Sequence, residues 1–92
     1  MATSDAAHSA KVTITYCAEC GYEPQTLALT EALMKAFTHG LSSIELVPWY
    51  EGSFDVAVNG QLVHGMYRDG GFPTNEKIID AVKAELAAAK PS

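Results

Sequence analysis

Val12, Ile14 and Tyr16 alternate with Lys11, Thr13 and Thr15, and the run goes straight into Cys17-Ala18-Glu19-Cys20, with Pro24 soon after. Alternation with a period of two marks a strand with one buried face. Proline suits the first turn of a helix, where its missing N–H would have no partner anyway. The two cysteines are thereby placed on the turn between a strand and a helix. Beyond Pro24, Leu29, Leu33, Ala36 and Phe37 recur at helical spacing and Gly40 closes the run, which predicts a helix of about 15 residues.

Ile44 and Leu46, flanking Glu45, form a second strand, and Pro48-Trp49-Tyr50-Glu51-Gly52 reads as a loop. Phe54, Val56 and Val58 then alternate up to Asn59-Gly60, and Leu62 to Tyr67 continues as strand. Asn-Gly between two such runs signals a hairpin closed by a two-residue type I′ turn. That register sets Val56 against Val63, Asp55 against His64 and Phe54 against Gly65. Phe54, Val56, Val58 and Val63 then face the helices, whereas Asp55, Ala57, Leu62, His64 and Met66 lie on the opposite, uncovered face. His64 is expected to be a cross-strand partner of Asp55 and not a catalytic group. Arg68-Asp69-Gly70-Gly71 breaks the strand, and Pro73 opens a last helix with Ile79, Val82 and Leu86 on one side.

The order β-α-β-β-β-α, with right-handed crossover, makes the first two strands parallel and sets the hairpin antiparallel beside them. The expected fold is an α/β two-layer sandwich: a mixed four-stranded sheet with both helices on one face, since the strands alternate and are not continuously apolar. With 92 residues, 48% of them hydrophobic and 18% charged, the chain suits one small domain with a thin core. Residues 1–10 are expected to be a flexible tail and 11–90 the domain.

A formal net charge of −5, with six scattered Lys and Arg, argues against nucleic acid as a partner. No apolar stretch approaches the roughly 20 residues of a membrane helix. The first residues lack a basic segment followed by an apolar run, so a cytoplasmic location is expected. Thiols are kept reduced there, and a lasting structural disulfide is not expected. C-x-x-C alone is also compatible with zinc ribbons and with plain buried cysteines, but zinc needs further ligands and the chain has no second pair. Placement at the end of a first strand, just before a helix, favours thiol redox chemistry over both.

Tyr16-Cys17-x-x-Cys20-Gly21-Tyr22-x-Pro24 resembles the opening motif of the selenoprotein W, T and H (Rdx) family. Gly52-x-Phe54-Asp55-Val56, Asn59-Gly60-x-Leu62-Val63-His64 and Gly70-Gly71-Phe72-Pro73 are similar to that family's hairpin and the start of its final helix. The likeness covers about residues 11–87. It implies a thioredoxin-like fold and thiol-dependent redox activity, with Cys17 and Cys20 as the catalytic pair. Because the second motif position can hold selenocysteine in animal members, the chain looks like the bacterial-type, all-cysteine branch; that position and its nearness to the helix start point to Cys20 as the attacking thiol, whereas analogy with thioredoxin points to Cys17. Thioredoxins place a cis-proline ahead of the strand facing the motif, where this chain has Gly52 and Ser53, so substrate docking is expected to differ in detail. Those two residues, with Tyr22, Trp49 and Phe72, are the expected substrate contacts; Tyr50 sits among them. The resemblance implies a thiol-disulfide oxidoreductase or antioxidant linked to glutathione or thioredoxin, without a resident cofactor or metal. Its partners would be protein thiols or glutathione, and the uncovered sheet face would suit a homo-oligomer. The alternative is a redox-regulated interaction module without turnover.

Overall fold

The computed structural model describes residues 10–89, so the tail expected over 1–10 lies, except for Ala10, outside the described residues. Strand β1 (Ala10–Cys17) leads through a 3₁₀ turn (Ala18–Cys20) into helix α1 (Glu23–Ala36). Strands β2 (Leu41–Trp49), β3 (Phe54–Val58) and β4 (Gln61–Gly65) follow, then a one-turn helix α2 (Met66–Asp69) and the final helix α3 (Asn75–Ala89). The sheet order is β2-β1-β3-β4, with β1 and β2 parallel and β1, β3 and β4 antiparallel in turn. This is the mixed four-stranded sandwich that the alternation and crossover predicted.

Val12 and Ile14 of β1 and Phe54, Val56 and Val58 of β3 are buried against Leu29 and Leu33 of α1 and Ile78 and Val82 of α3, so both long helices cover one face. Fully burying side chains of this size contributes about 1.5–3 kcal/mol each, which is what ties the helices to the sheet. The opposite face carries Thr13, Thr15, Asp55, Ala57 and Leu62, with Thr13 against Ala57 and Thr15 against Asp55 in the β1–β3 register. On α1, Thr26 is buried where Ala36 is exposed, and on α3 it is Ile78, not Ile79, that is fully buried.

Two boundaries differ from the sequence reading. β2 continues through Pro48 to Trp49, where a loop was expected. Pro48 is tolerated because β2 is an edge strand, where a missing N–H costs no ladder bond on the open side. The strand expected to reach Tyr67 instead ends at Gly65 and turns into α2. Asp55 accepts the Met66 backbone N–H (3.2 Å) and Asp69 accepts that of Gly65 (3.0 Å), so two carboxylates satisfy donors that a longer strand would have paired. A Cβ on residue 65 would come within 3.3 Å of Asp55 Oδ1, so glycine lets this carboxylate approach.

The largest correction concerns the hairpin. Asn59 and Gly60 both have positive φ (53° and 82°), as a type I′ turn requires, and Val58 meets Gln61 and Ala57 meets Leu62 as expected. A bulge at Val63 then shifts the register, so Val56 faces His64 and Asp55 faces Gly65. His64 therefore does not pair with Asp55 on the uncovered face but is buried, 3% exposed. Met66 also leaves that face and packs partly against the core.

Candidate functional site

Cys17 and Cys20 are joined by a disulfide, with Cα atoms 5.3 Å apart, inside the usual range for a bridge. The strand delivers Cys17 to the end of the sheet, where the 3₁₀ turn brings Cys20 back over it. Gly21, in the left-handed conformation, redirects the chain into α1. The two cysteines are not equivalent: Cys17 is wholly buried, while Cys20 is exposed. Helix α1 begins three residues after Cys20, with Tyr22 as an N-cap that makes no side-chain capping bond. Its first backbone N–H groups, at Glu23 and Gln25, are left without intrahelical partners near the motif, and Pro24 has none to offer. Glu19 and Glu23 place negative charge in the same neighbourhood.

Strand pairing and turns bring the expected substrate residues to this end of the sheet. Trp49 is the β2 partner of Cys17, and the Cys17 backbone N–H donates to the Ser53 carbonyl at 2.8 Å. Trp49 and Tyr50 are exposed, their rings 5.6 Å apart. Glu51 and Gly52 both have positive φ (60° and 71°), closing a tight turn in which the Ser53 N–H and hydroxyl both donate to the Tyr50 carbonyl. The Ser53 side chain is buried and committed to that turn, so its role is to hold the loop beside Cys17. Tyr22 stacks edge-on against Phe72 (4.8 Å), and Phe72 stacks in the same way on Phe54 (5.0 Å).

Tyr67 escaped the sequence reading. Its hydroxyl and that of Tyr22 would each lie 3.8 Å from a Cβ at residue 52, so two tyrosines from different elements reach the glycine turn beside the disulfide. Read as the end of a strand, Tyr67 gave no sign of this. The only local signal for α2 was Asp69, placed four residues after Gly65 where it can take that residue's N–H.

His64 sits under the Gly70-Gly71 loop. Lys77 has only protons to give, so His64 Nδ1 accepts from Lys77 Nζ (2.8 Å) and the proton on Nε2 donates to the Gly71 carbonyl (2.8 Å). Asp69 Oδ2 lies 3.6 Å from His64 Nδ1 and 3.8 Å from Lys77 Nζ. The hydrogen bond from Arg68, then that from the Gly65 N–H, hold the Asp69 carboxyl far below the usual carboxylate range, helped by the positive charges of Arg68 and Lys77. A depressed carboxyl contributes stability in full above its unfolded value of about 4, and the contribution is lost as pH falls below that. Asp69→Asn is therefore expected to lower Tm at pH 7, and the gap from wild type should narrow as pH drops below about 4. A gap that stays constant across that range would show that the carboxylate charge is irrelevant. Among the described residues no group of three or more His, Cys, Asp or Glu side chains is placed to hold a metal ion, and no helix is long and apolar enough to cross a membrane.

The chain is similar in sequence and in fold to known proteins. Murine selenoprotein W is 38% identical over 81 residues, covering 83% of this chain and 92% of that protein. Bovine migration and invasion enhancer 1 is 33% identical over 76 residues, spanning 83% of this chain but only 64% of its relative. A selenoprotein W-related protein from Vibrio cholerae superposes with a TM-score of 0.81 at 24% identity, covering 85% of this chain and 98% of the other, a likeness of fold. A protein from Bordetella parapertussis gives 0.80 at 27% identity, with 85% and 99% covered. The Rdx family model matches residues 11–84, and the chain belongs to that redox-related family, with cysteine at both positions of the C-x-x-C motif.

Proposed function

We propose that the protein is a thiol-disulfide oxidoreductase working through Cys17 and Cys20, and the observation that carries this reading is the unequal exposure of the two bridged cysteines. In the dithiol form the Cys20 thiolate attacks one sulfur of a substrate disulfide. A mixed disulfide forms, and the other substrate sulfur leaves as a thiolate that takes up a proton. Cys17, losing its proton, then attacks Cys20 Sγ, closes the internal disulfide and releases the second substrate thiol. Two electrons pass to the substrate, and the internal disulfide is the oxidised product. A thiol such as glutathione, or a second dithiol protein such as thioredoxin, returns it to the dithiol form by the reverse exchange. Trp49 and Tyr50 present exposed aromatic surface beside Cys17 for a protein substrate, and the Gly52-Ser53 turn holds the neighbouring backbone.

Reduction of a small disulfide such as hydroxyethyl disulfide, with glutathione or dithiothreitol as donor, tests the proposal. Wild type is expected to turn over and Cys20→Ser to fall to background. Absence of turnover in wild type, with the internal disulfide still forming and breaking with the redox state, would favour the interaction module, which the exposed Trp49 and Tyr50 would also suit.

A further inference from the structure

An open cavity of about 130 Å³ lies between the first turns of α1, the start of β3 and the segment that leads into α3. Leu29 and Phe54, both nearly inaccessible, form its floor, and Phe72 and Pro73 form one wall. Its rim carries the side-chain amides of Gln25 and Asn75, both exposed. Phe72, the wall, is the ring stacked edge-on against Tyr22, which lies two residues beyond Cys20. The volume is close to that of a cavity of about 150 Å³ lined by apolar side chains that takes up benzene, and well below the roughly 300 Å³ or more of a typical small-molecule site. A whole tripeptide does not fit such a space, whereas one leucine- or phenylalanine-sized side chain does.

We infer that this cavity is a specificity pocket of the redox site, taking one apolar side chain of a protein substrate that lies a few residues from the reacting cysteine. The floor supplies the apolar surface, while the Gln25 and Asn75 amides are placed to hydrogen-bond the substrate backbone as it crosses the rim. Glutathione has no apolar side chain to offer, so the pocket favours protein disulfides over glutathione as the electron acceptor. The inference rests on the dithiol exchange proposed above and adds a substrate class to it.

The test uses the reduced full chain in a single turnover, so no donor is needed. The probes are short peptides with one cysteine disulfide-linked to thionitrobenzoate, carrying either Leu or Ser in turn at each of the nearby positions. Release of thionitrobenzoate reports the exchange whichever sulfur is attacked first, because Cys17 then displaces the remaining thiol from Cys20, and its rate reports how well the peptide is held. Wild type is expected to react about ten-fold faster with the best Leu peptide than with its Ser counterpart. In Ala28→Phe, which fills the cavity from the exposed side of α1, that ratio should fall below about two-fold. Ala28→Leu is the milder variant, read in the same way should the phenylalanine impair folding. Exchange without a Leu preference in wild type, or a preference that survives both substitutions, overturns the pocket alone. No exchange with either peptide overturns the oxidoreductase reading and this inference with it.

Discussion

Limiting iodoacetamide added to the reduced protein is expected to label Cys20 at least ten-fold faster than Cys17. Electrostatics alone does not decide between them. The free N–H groups at the start of α1 favour a nearby thiolate by about 0.3–1 kcal/mol. Glu19 and Glu23, both exposed, oppose it by a similar amount, since charges 4 Å apart in bulk water interact by only roughly 1 kcal/mol. The two effects nearly cancel at Cys20, and access decides. Cys17 ends a central strand with no exposed surface, its backbone N–H bound to Ser53, whereas Cys20 lies on the exposed outer side of the 3₁₀ turn. A resolving thiol that sits behind the attacking one is protected from forming mixed disulfides of its own. Peptide mass spectrometry after alkylation over a pH series gives the order and the apparent pKa of the first thiol. In the companion experiment, Cys17→Ser should trap a mixed disulfide through Cys20. Faster labelling of Cys17, with trapping by Cys20→Ser instead, would reverse the assignment.

What the sequence disclosed and what it withheld divide along the range of the interactions involved. The alternation before Cys17, the helical spacing after Pro24 and the Asn59-Gly60 turn each report a local constraint, and each element formed where it was expected. The C-x-x-C spacing is also local, so the cysteine pair was legible. Its asymmetry was not: Cys17 is buried by the loop that returns through Ser53, a contact between residues 36 positions apart in the chain. His64 is the clearest failure, because a strict period of two sends it to the uncovered face. The bulge at Val63 turns it inward, and its partners, Gly71 and Lys77, come from the loop and helix that follow. No pattern within β4 announces them. Tyr67 was misplaced for the same reason, since the two carboxylates that end β4 at Gly65 act through space and across a register that the bulge had already shifted.

Phe54→Ala is expected to cost about 3–5 kcal/mol of stability, a large share of the roughly 5–15 kcal/mol that holds a domain of this kind together. Phe54 is only 1% exposed, is the largest fully buried side chain and lies where β3 meets α1 beneath the Phe72 ring. Removing its ring leaves a void that Leu29 and Phe72 fill only in part, so the loss includes both the transfer energy and the cavity. Phe72→Ala gives the contrast. That ring has the same edge-to-face geometry but is 39% exposed, so less area returns to water, and the expected cost is about 1–2 kcal/mol. At about 4–8 °C per kcal/mol for a chain this small, Tm should fall on the order of 20 °C for Phe54→Ala and by about a third of that for Phe72→Ala. Thermal melts of both variants in the oxidised state read this directly. Near-equal losses would mean that the aromatic stack, and not burial beneath it, carries the stability of this end of the sheet, and the cavity floor would then owe its shape to Phe72.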